Sequence, residues 1–240
     1  MKRLVLGGLI IVLAVQNAVA DPKIVVIDPG HGGTNTGAPS SVIGILEKQV
    51  TLAYARGIRR RLQARGVKVY LTRNSDRYLT LRQRSSFANA MKADVFVSVH
   101  MNAAPKHDQQ GYETYILTPT ALRVDAPALR AKPGRTWAGL DPTTALILEE
   151  VERGLSLSRA ARLARLIQQA LRGARGPRGD RGVKQDSMHV LLGATMPAVL
   201  VEVGFLDHPV EGPALLKSDV FNRVCDGLAD AVLRSLKVSS

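Results

Sequence analysis

Two repeats of apolar spacing alternate along this chain. Lys23 to Asp28 is a short β-branched run closed by Pro29 and Gly30, the pattern of a strand that ends in a tight turn. From Glu47 to Ala64 apolar residues return every fourth position, at Val50, Tyr54, Ile58 and Leu62, which predicts a helix stopped by Gly66. Val67 to Thr72 reads as a second strand, and Thr80 caps a helix running through Leu81, Ser85 and Ala88 to about Met91. Asp94 to His100 is almost continuously apolar, as expected of a strand covered on both faces. Tyr112 to Leu117 and Ala198 to Val203 add strands, and Asp219 to Leu236 a closing helix. Strand, helix, strand, helix, strand predicts a single α/β domain with a mostly parallel or mixed sheet and helices on both faces.

The stretch between the fourth strand and the last third of the chain is harder to place. Pro119 to Pro142 carries four prolines and no clear period, so it reads as a long loop, with 119–154 as an insertion in the domain. Thr143 to Arg153 and Ser156 to Arg172 read as two helices. Gly173 to Gly182 has glycine at every third position over too few triplets for a collagen helix, and predicts a flexible basic connection in which Arg-Gly-Asp is a coincidence. No repeat of domain scale is visible.

Composition changes the picture at three points. Lys2 and Arg3, the apolar run from Leu4 to Val15 and the small residues of Ala18-Val19-Ala20 read as a secretion signal over residues 1–20, leaving 21–240 as the mature unit outside the cytoplasm, in the periplasm or cell wall. Twelve apolar residues are too few to cross a bilayer that needs about 20, so no lasting membrane anchor is expected. The single cysteine, Cys225, excludes an internal disulfide, so packing must stabilise the fold. The net charge of +13, less Lys2 and Arg3, is +11 for the mature chain and favours an anionic partner. Nucleic acid is excluded as that partner by the lack of a recognition motif and of an aromatic-rich basic stripe.

Candidate chemistry gathers at strand ends. His31 follows the first strand in Asp28-Pro-Gly-His-Gly-Gly33, and His100 ends the third in Ser98-Val-His-Met-Asn102. In open α/β sheets sites form beyond the carboxyl ends of strands, where residues far apart in sequence meet. Glu202 interrupts a run that otherwise reads as buried strand, and a carboxylate there needs a metal, a basic partner or a raised pKa. Glu47 opens a helix, where an acid is ordinary. Two histidines and one carboxylate with a fourth place for water form a catalytic zinc set. Spacing leaves open which of Glu47, Glu113 or Glu202 binds metal. His107 and His208 read as solvated, His189 as a residue near the sheet, and Arg82 and Asn102 as helix and turn residues. Signatures of serine hydrolases, P-loop enzymes and Cys-x-x-Cys metal sites are missing.

The segments IVVIDPGHGG (24–33), Leu46-Glu-Lys48, Leu71-Thr-Arg73, ADVFVSVHMNA (93–103), GYETYIL (111–117), RGVKQ (181–185) and MPAVLVEVGFL (196–206) together resemble the zinc-dependent N-acetylmuramoyl-L-alanine amidases of the cell-separation type, over about residues 23–238. The resemblance implies a six-stranded sheet, one zinc per chain on His31, Glu47 and His100, and Glu202 as catalytic acid and base. It implies peptidoglycan as substrate, cut between N-acetylmuramic acid and L-alanine. Relatives of this type often carry an inserted helix that covers the zinc until an activator protein moves it, and residues 119–154 stand at that place, with Glu149, Glu150 and Glu152 as acids to reach the metal. The chain departs from the pattern in Thr34-Asn35-Thr36-Gly37, where an aspartate is usual, and at Met188-His189. A zinc exopeptidase and a non-catalytic wall-binding module are the competing readings, and a binding module has no need of a buried Glu202.

Overall fold

The computed structural model describes residues 22–40, 44–124 and 139–237. The signal reading over 1–20 and the proline-rich residues 125–138 lie outside them. Strands β1 (Ile24–Pro29), β2 (Lys68–Leu71), β3 (Val95–Asn102), β4 (Tyr112–Leu117), β5 (Asp180–Asp186) and β6 (Ala198–Phe205) form one sheet in the order β2-β1-β3-β6-β4-β5. All neighbouring pairs are parallel except β4 with β6. The helices are α1 (Glu47–Gln63), α2 (Leu81–Ala90), α3 (Pro119–Val124), α4 (Pro142–Arg175), α5 (Glu211–Leu215) and α6 (Ser218–Leu236). Among the described residues no helix is long and apolar enough to cross a membrane.

Period-two alternation sorts the strands' side chains into two cores. Val25, Ile27, Val95, Val97, Val99, Val199, Val201 and Val203 pack with Tyr54, Ile58, Leu163, Ile167, Leu228 and Val232 of α1, α4 and α6. Val26, Phe96, Ala198 and Leu200 face the other way, against Ala88 of α2, Ala121 of α3 and Leu191. On that second face the chemistry changes along β3. Phe96 is core, Ser98 joins a buried polar network, and His100 lies two residues before the strand's end.

The chain leaves β1 towards β2 on one side and returns as β3 on the other, so the strand order reverses between β1 and β3. Their carboxyl ends therefore open a crevice, and β6 extends the same edge. Since β4 runs the other way, its start, with that of β5, lies at the crevice end and Leu117 at the far end.

Three expectations are corrected. The two helices read at 143–153 and 156–172 are one, α4. Gly154 costs helix stability without breaking the helix, and Asp141 caps it by accepting from Thr143 N and Thr144 N, both at 3.0 Å. Pro119 to Val124, expected as loop, is helical because Pro119 stands at its first turn, Thr118 Oγ1 accepts from Ala121 N at 3.0 Å, and Ala121 is buried. The basic connection ends at Asp180, where β5 begins. This edge strand alternates half-buried with exposed positions, and Gly182, at φ 80°, lies where the β4/β5 register shifts.

Candidate metal centre

The turn after β1 is built for close approach. A Cβ on Gly30 would lie 2.3 Å from Cε1 of His100, so only glycine lets the two strand ends meet. His31 then adopts φ 59°, a left-handed conformation that costs roughly 1–3 kcal/mol in a residue other than glycine. Two buried arginines hold the turn there. Arg84 donates to Pro29 O and His31 O at 2.8 Å each and pairs with Asp28 at 2.9 Å. Arg73 donates to Pro29 O, Gly30 O and Lys48 O at 3.0, 2.7 and 2.9 Å. Asp28 also accepts from Thr72 and Ser98, so both its oxygens are used.

Onto this turn α1 brings Glu47, 2% exposed. Its Oε2 lies 3.0 Å from His31 Nε2 and its Oε1 3.0 Å from His100 Nδ1. Backbone N–H groups of Ala38 and Met101 donate to the same two oxygens at 2.8 and 2.9 Å and fix the carboxylate plane. The imidazole rings stand edge to face, 4.8 Å apart. Burial works to raise the pKa of Glu47, but hydrogen bonds from His100 and His31 outweigh it and hold the carboxyl well below the usual range. Burial likewise opposes charge on His100, and Glu47 more than offsets it, raising the imidazole.

The three donor atoms lie within 4.8 Å of one another, and no other such group of His, Cys, Asp or Glu occurs among the described residues. Their composition and spacing fit a small divalent cation: zinc bonds of 2.0–2.1 Å at tetrahedral angles set ligand atoms roughly 3.3 Å apart. His31 Nδ1 lies 2.8 Å from Oδ1 of Asn35, which also accepts from Gly37 N at 3.2 Å. An acceptor there keeps the proton on Nδ1 and leaves the Nε2 lone pair for a metal.

Glu202 is the register partner of His100 across β3 and β6, and its Oε2 is shielded from solvent with no hydrogen-bond partner. Burial, aided by the charges of Glu47 and Glu113 and opposed by His100, pushes its carboxyl up to about 7. Glu113, opposite Glu202 on β4, has a different fate. Burial would raise it, but Lys184, Arg181 and Tyr115 bind it and lower it instead. Of the three acids that spacing left open, one thus meets both histidines, one stands beside them unpartnered, and one is held by cations.

Other residues fall away from the cluster. His107, read as solvated, is half-exposed but has its Nδ1 on Oδ2 of buried Asp207 at 2.7 Å. His208, read the same way, accepts from Val210 N and Glu211 N at 3.2 and 3.0 Å just before α5. His189 sits in the turn ending at Leu192 and is not one of the clustered donors. Arg82 is exposed, whereas Arg84, two residues on, is buried under the turn. Cys225 is a buried free thiol that burial pushes up to about 12, so it is no nucleophile. The expectation that an acid of 149–152 reaches the metal is corrected for Glu150 and Glu152. Arg175 at the end of α4 contacts Val203 at the crevice, while Leu157 and Ala160 line one cavity with Ala198 at the far end. Exposed Glu150 and Glu152 extend beyond that far end.

The sequence matches the family model described as N-acetylmuramoyl-L-alanine amidase over residues 25–234. It is similar to the N-acetylmuramoyl-L-alanine amidase AmiC of Neisseria meningitidis, 32% identical over 90% of this chain and 53% of that protein, so the chain spans about half that relative's length. It is similar to the amidase CwlM of Bacillus licheniformis, 32% identical over 89% of this chain and 68% of the relative. Among solved structures, the catalytic domain of the amidase CwlV from Bacillus (Paenibacillus) polymyxa superposes with a TM-score of 0.69 at 31% identity, covering 90% of this chain and 99% of that one.

Proposed function

The chain belongs to the N-acetylmuramoyl-L-alanine amidase family, and from that premise we propose that it hydrolyses the amide between N-acetylmuramic acid and L-alanine in peptidoglycan, as a zinc enzyme outside the cytoplasm. The observation that carries this reading is the unpartnered Oε2 of Glu202 beside the His31, Glu47 and His100 cluster. A wholly structural carboxylate in that position would be expected to have a partner.

His31, Glu47 and His100 hold the metal. When bound, zinc supplies a Lewis acid for the scissile carbonyl and the attacking water. Asn35 keeps His31 in the ligating tautomer, and Ala38 N and Met101 N keep Glu47 in the plane the ligand set requires. Glu202 takes a proton from the attacking water and returns it to the leaving nitrogen of L-alanine. Its carboxyl near 7 suits both halves of that task, since a group poised near the working pH gives and accepts with similar ease. Residues 21–240 form the catalytic unit after removal of 1–20, the substrate is the anionic wall polymer in the periplasm or cell wall, and the biological setting is wall remodelling or daughter-cell separation.

The test is digestion of purified sacculi by the zinc-loaded protein, followed by mass spectrometry. Stem peptides with a free N-terminal L-alanine, and glycan carrying intact lactyl groups, are the expected products. Cleavage of peptide bonds within the stem, or of free peptides alone, would replace the amidase by an exopeptidase.

A further inference from the structure

His100, Glu202 and Glu113 are register partners on the neighbouring strands β3, β6 and β4, so they form one row on one sheet face. The row ends in two cations. Glu113, 2% exposed, accepts from Asn102 Nδ2 at 2.6 Å and Tyr115 OH at 2.9 Å on Oε1, and from Arg181 Nε at 2.9 Å and Lys184 Nζ on Oε2. One cation neutralises one buried carboxylate. The second leaves an uncompensated positive charge.

Both cations are restrained and accessible. Arg181 Cζ lies 5.1 Å from the Phe205 ring centroid and Lys184 Nζ 5.7 Å from that of Tyr115. Their side chains are 32% and 38% exposed. Among the described residues the two Nη groups of Arg181 make no hydrogen bond, and Lys184 Nζ has no acceptor besides Glu113. Restraint of this kind removes much of the rotamer entropy that a long cationic side chain loses on binding an anion.

We propose that Arg181 and Lys184, set in place by Glu113, form a subsite for a free carboxylate of the stem peptide. This rests on the amidase reading, which places the scissile amide over His100 and Glu202. From Glu202, β5 is two strands away, about 10 Å at strand spacings of 4.7–4.9 Å. An extended chain advances about 3.3–3.6 Å per residue, so a carboxylate on the second or third stem residue spans that distance. The fork of Arg181 Nη donors and the compact ammonium of Lys184 then hold it with charge-assisted hydrogen bonds. Glu113 is a positioning residue, since it acts only through the cations.

The test compares muramoyl-peptide substrates that differ in one group, a free carboxylate or its primary amide, at the second or the third stem residue. The wild-type protein is expected to favour one carboxylate form by roughly tenfold or more in kcat/KM, as charge-assisted contacts allow. That ratio should fall towards one in R181M and in K184M, mainly through KM, and be only partly restored in R181K, which keeps the charge without the fork. Lys68→Met, which removes an exposed lysine on β2, should keep the ratio and so controls for the overall positive charge. A wild-type ratio near one at both residues, or a ratio that survives K184M in a folded protein, overturns the subsite. Failure of the wild-type protein to cut any of these substrates overturns the amidase reading instead.

Discussion

The turn after β1 and the end of β6 meet at one crevice and treat buried charge in opposite ways. Around the turn, Asp28, Arg73 and Arg84 are buried and every carboxylate oxygen has a donor. Glu47, resting on that turn, has partners for both oxygens and a pKa held low. Three residues from the end of β6, Glu202 keeps one oxygen without a partner and a carboxyl near 7. Full satisfaction leaves a rigid, permanently ionised carboxylate, while incomplete satisfaction leaves a group that exchanges protons. One site thus draws both behaviours from the same functional group.

The largest effect that can break this contrast is loss of a ligand. His31→Ala and His100→Ala are each expected to take bound zinc from about one per chain to near none and to lower activity roughly 10³-fold or more, read by elemental analysis and sacculus digestion. Glu47→Gln should weaken metal binding as well. A fully zinc-loaded H100A protein would remove His100 from the ligand set.

Glu202→Gln should behave differently, keeping its zinc while turnover falls roughly 10²–10⁴-fold. Its stability carries a second signature. The folded carboxyl near 7 lies above the ordinary 4.5, so the protonated form is favoured by folding, and that contribution is complete below 4.5 and lost as pH rises through 7. In metal-free protein at pH 8, E202Q should therefore be more stable than wild type by about 3 kcal/mol, with the gap closing below pH 4.5. Denaturant titrations at the two pH values decide it, and a gap independent of pH would mean that Glu202 is not held above its usual range.

Smaller effects refine the contrast. Asn35→Ala removes the acceptor for His31 Nδ1 and is expected to weaken zinc affinity 10–100-fold, measured by competition with a chelator, and N35D should tighten it. Equal affinities in all three proteins would show that the turn alone orients His31. Far from the crevice, Gly154→Ala in α4 meets open space and should raise stability by about 0.5–1 kcal/mol with activity unchanged.

Much of this architecture is readable from apolar spacing where burial is two-sided, as in β1, β3 and β6, or strictly one-sided, as in α1. Strand β5 escaped because an edge strand of Asp, Arg, Lys and Gln buries too little to leave an apolar run. In α4 the glycine at 154 reads as a break in the pattern, yet one glycine costs only about 1 kcal/mol against the packing of a whole helix. At the site, His31, His100 and Glu202 stand out as polar groups at strand ends or within apolar strands. Glu47 does not, because a first-turn acid is commonplace and its partners come from the loop after β1 and from β3. Arg84, an ordinary helix arginine in the sequence, is equally inconspicuous. What distinguishes it is contact with a turn more than fifty residues away.

The reversal of β4 has a consequence for engineering. It sends the chain out of the sheet at Leu117, at the end remote from His31 and His100, and Gly139, where the described chain resumes, has nothing within 4 Å of where a side chain would begin. Insertions are best tolerated at exposed points that few contacts cross. A reporter or wall-anchoring module spliced in at Gly139 would join the fold at that remote end, so cargo could be changed while the end carrying His31 and His100 keeps its shape.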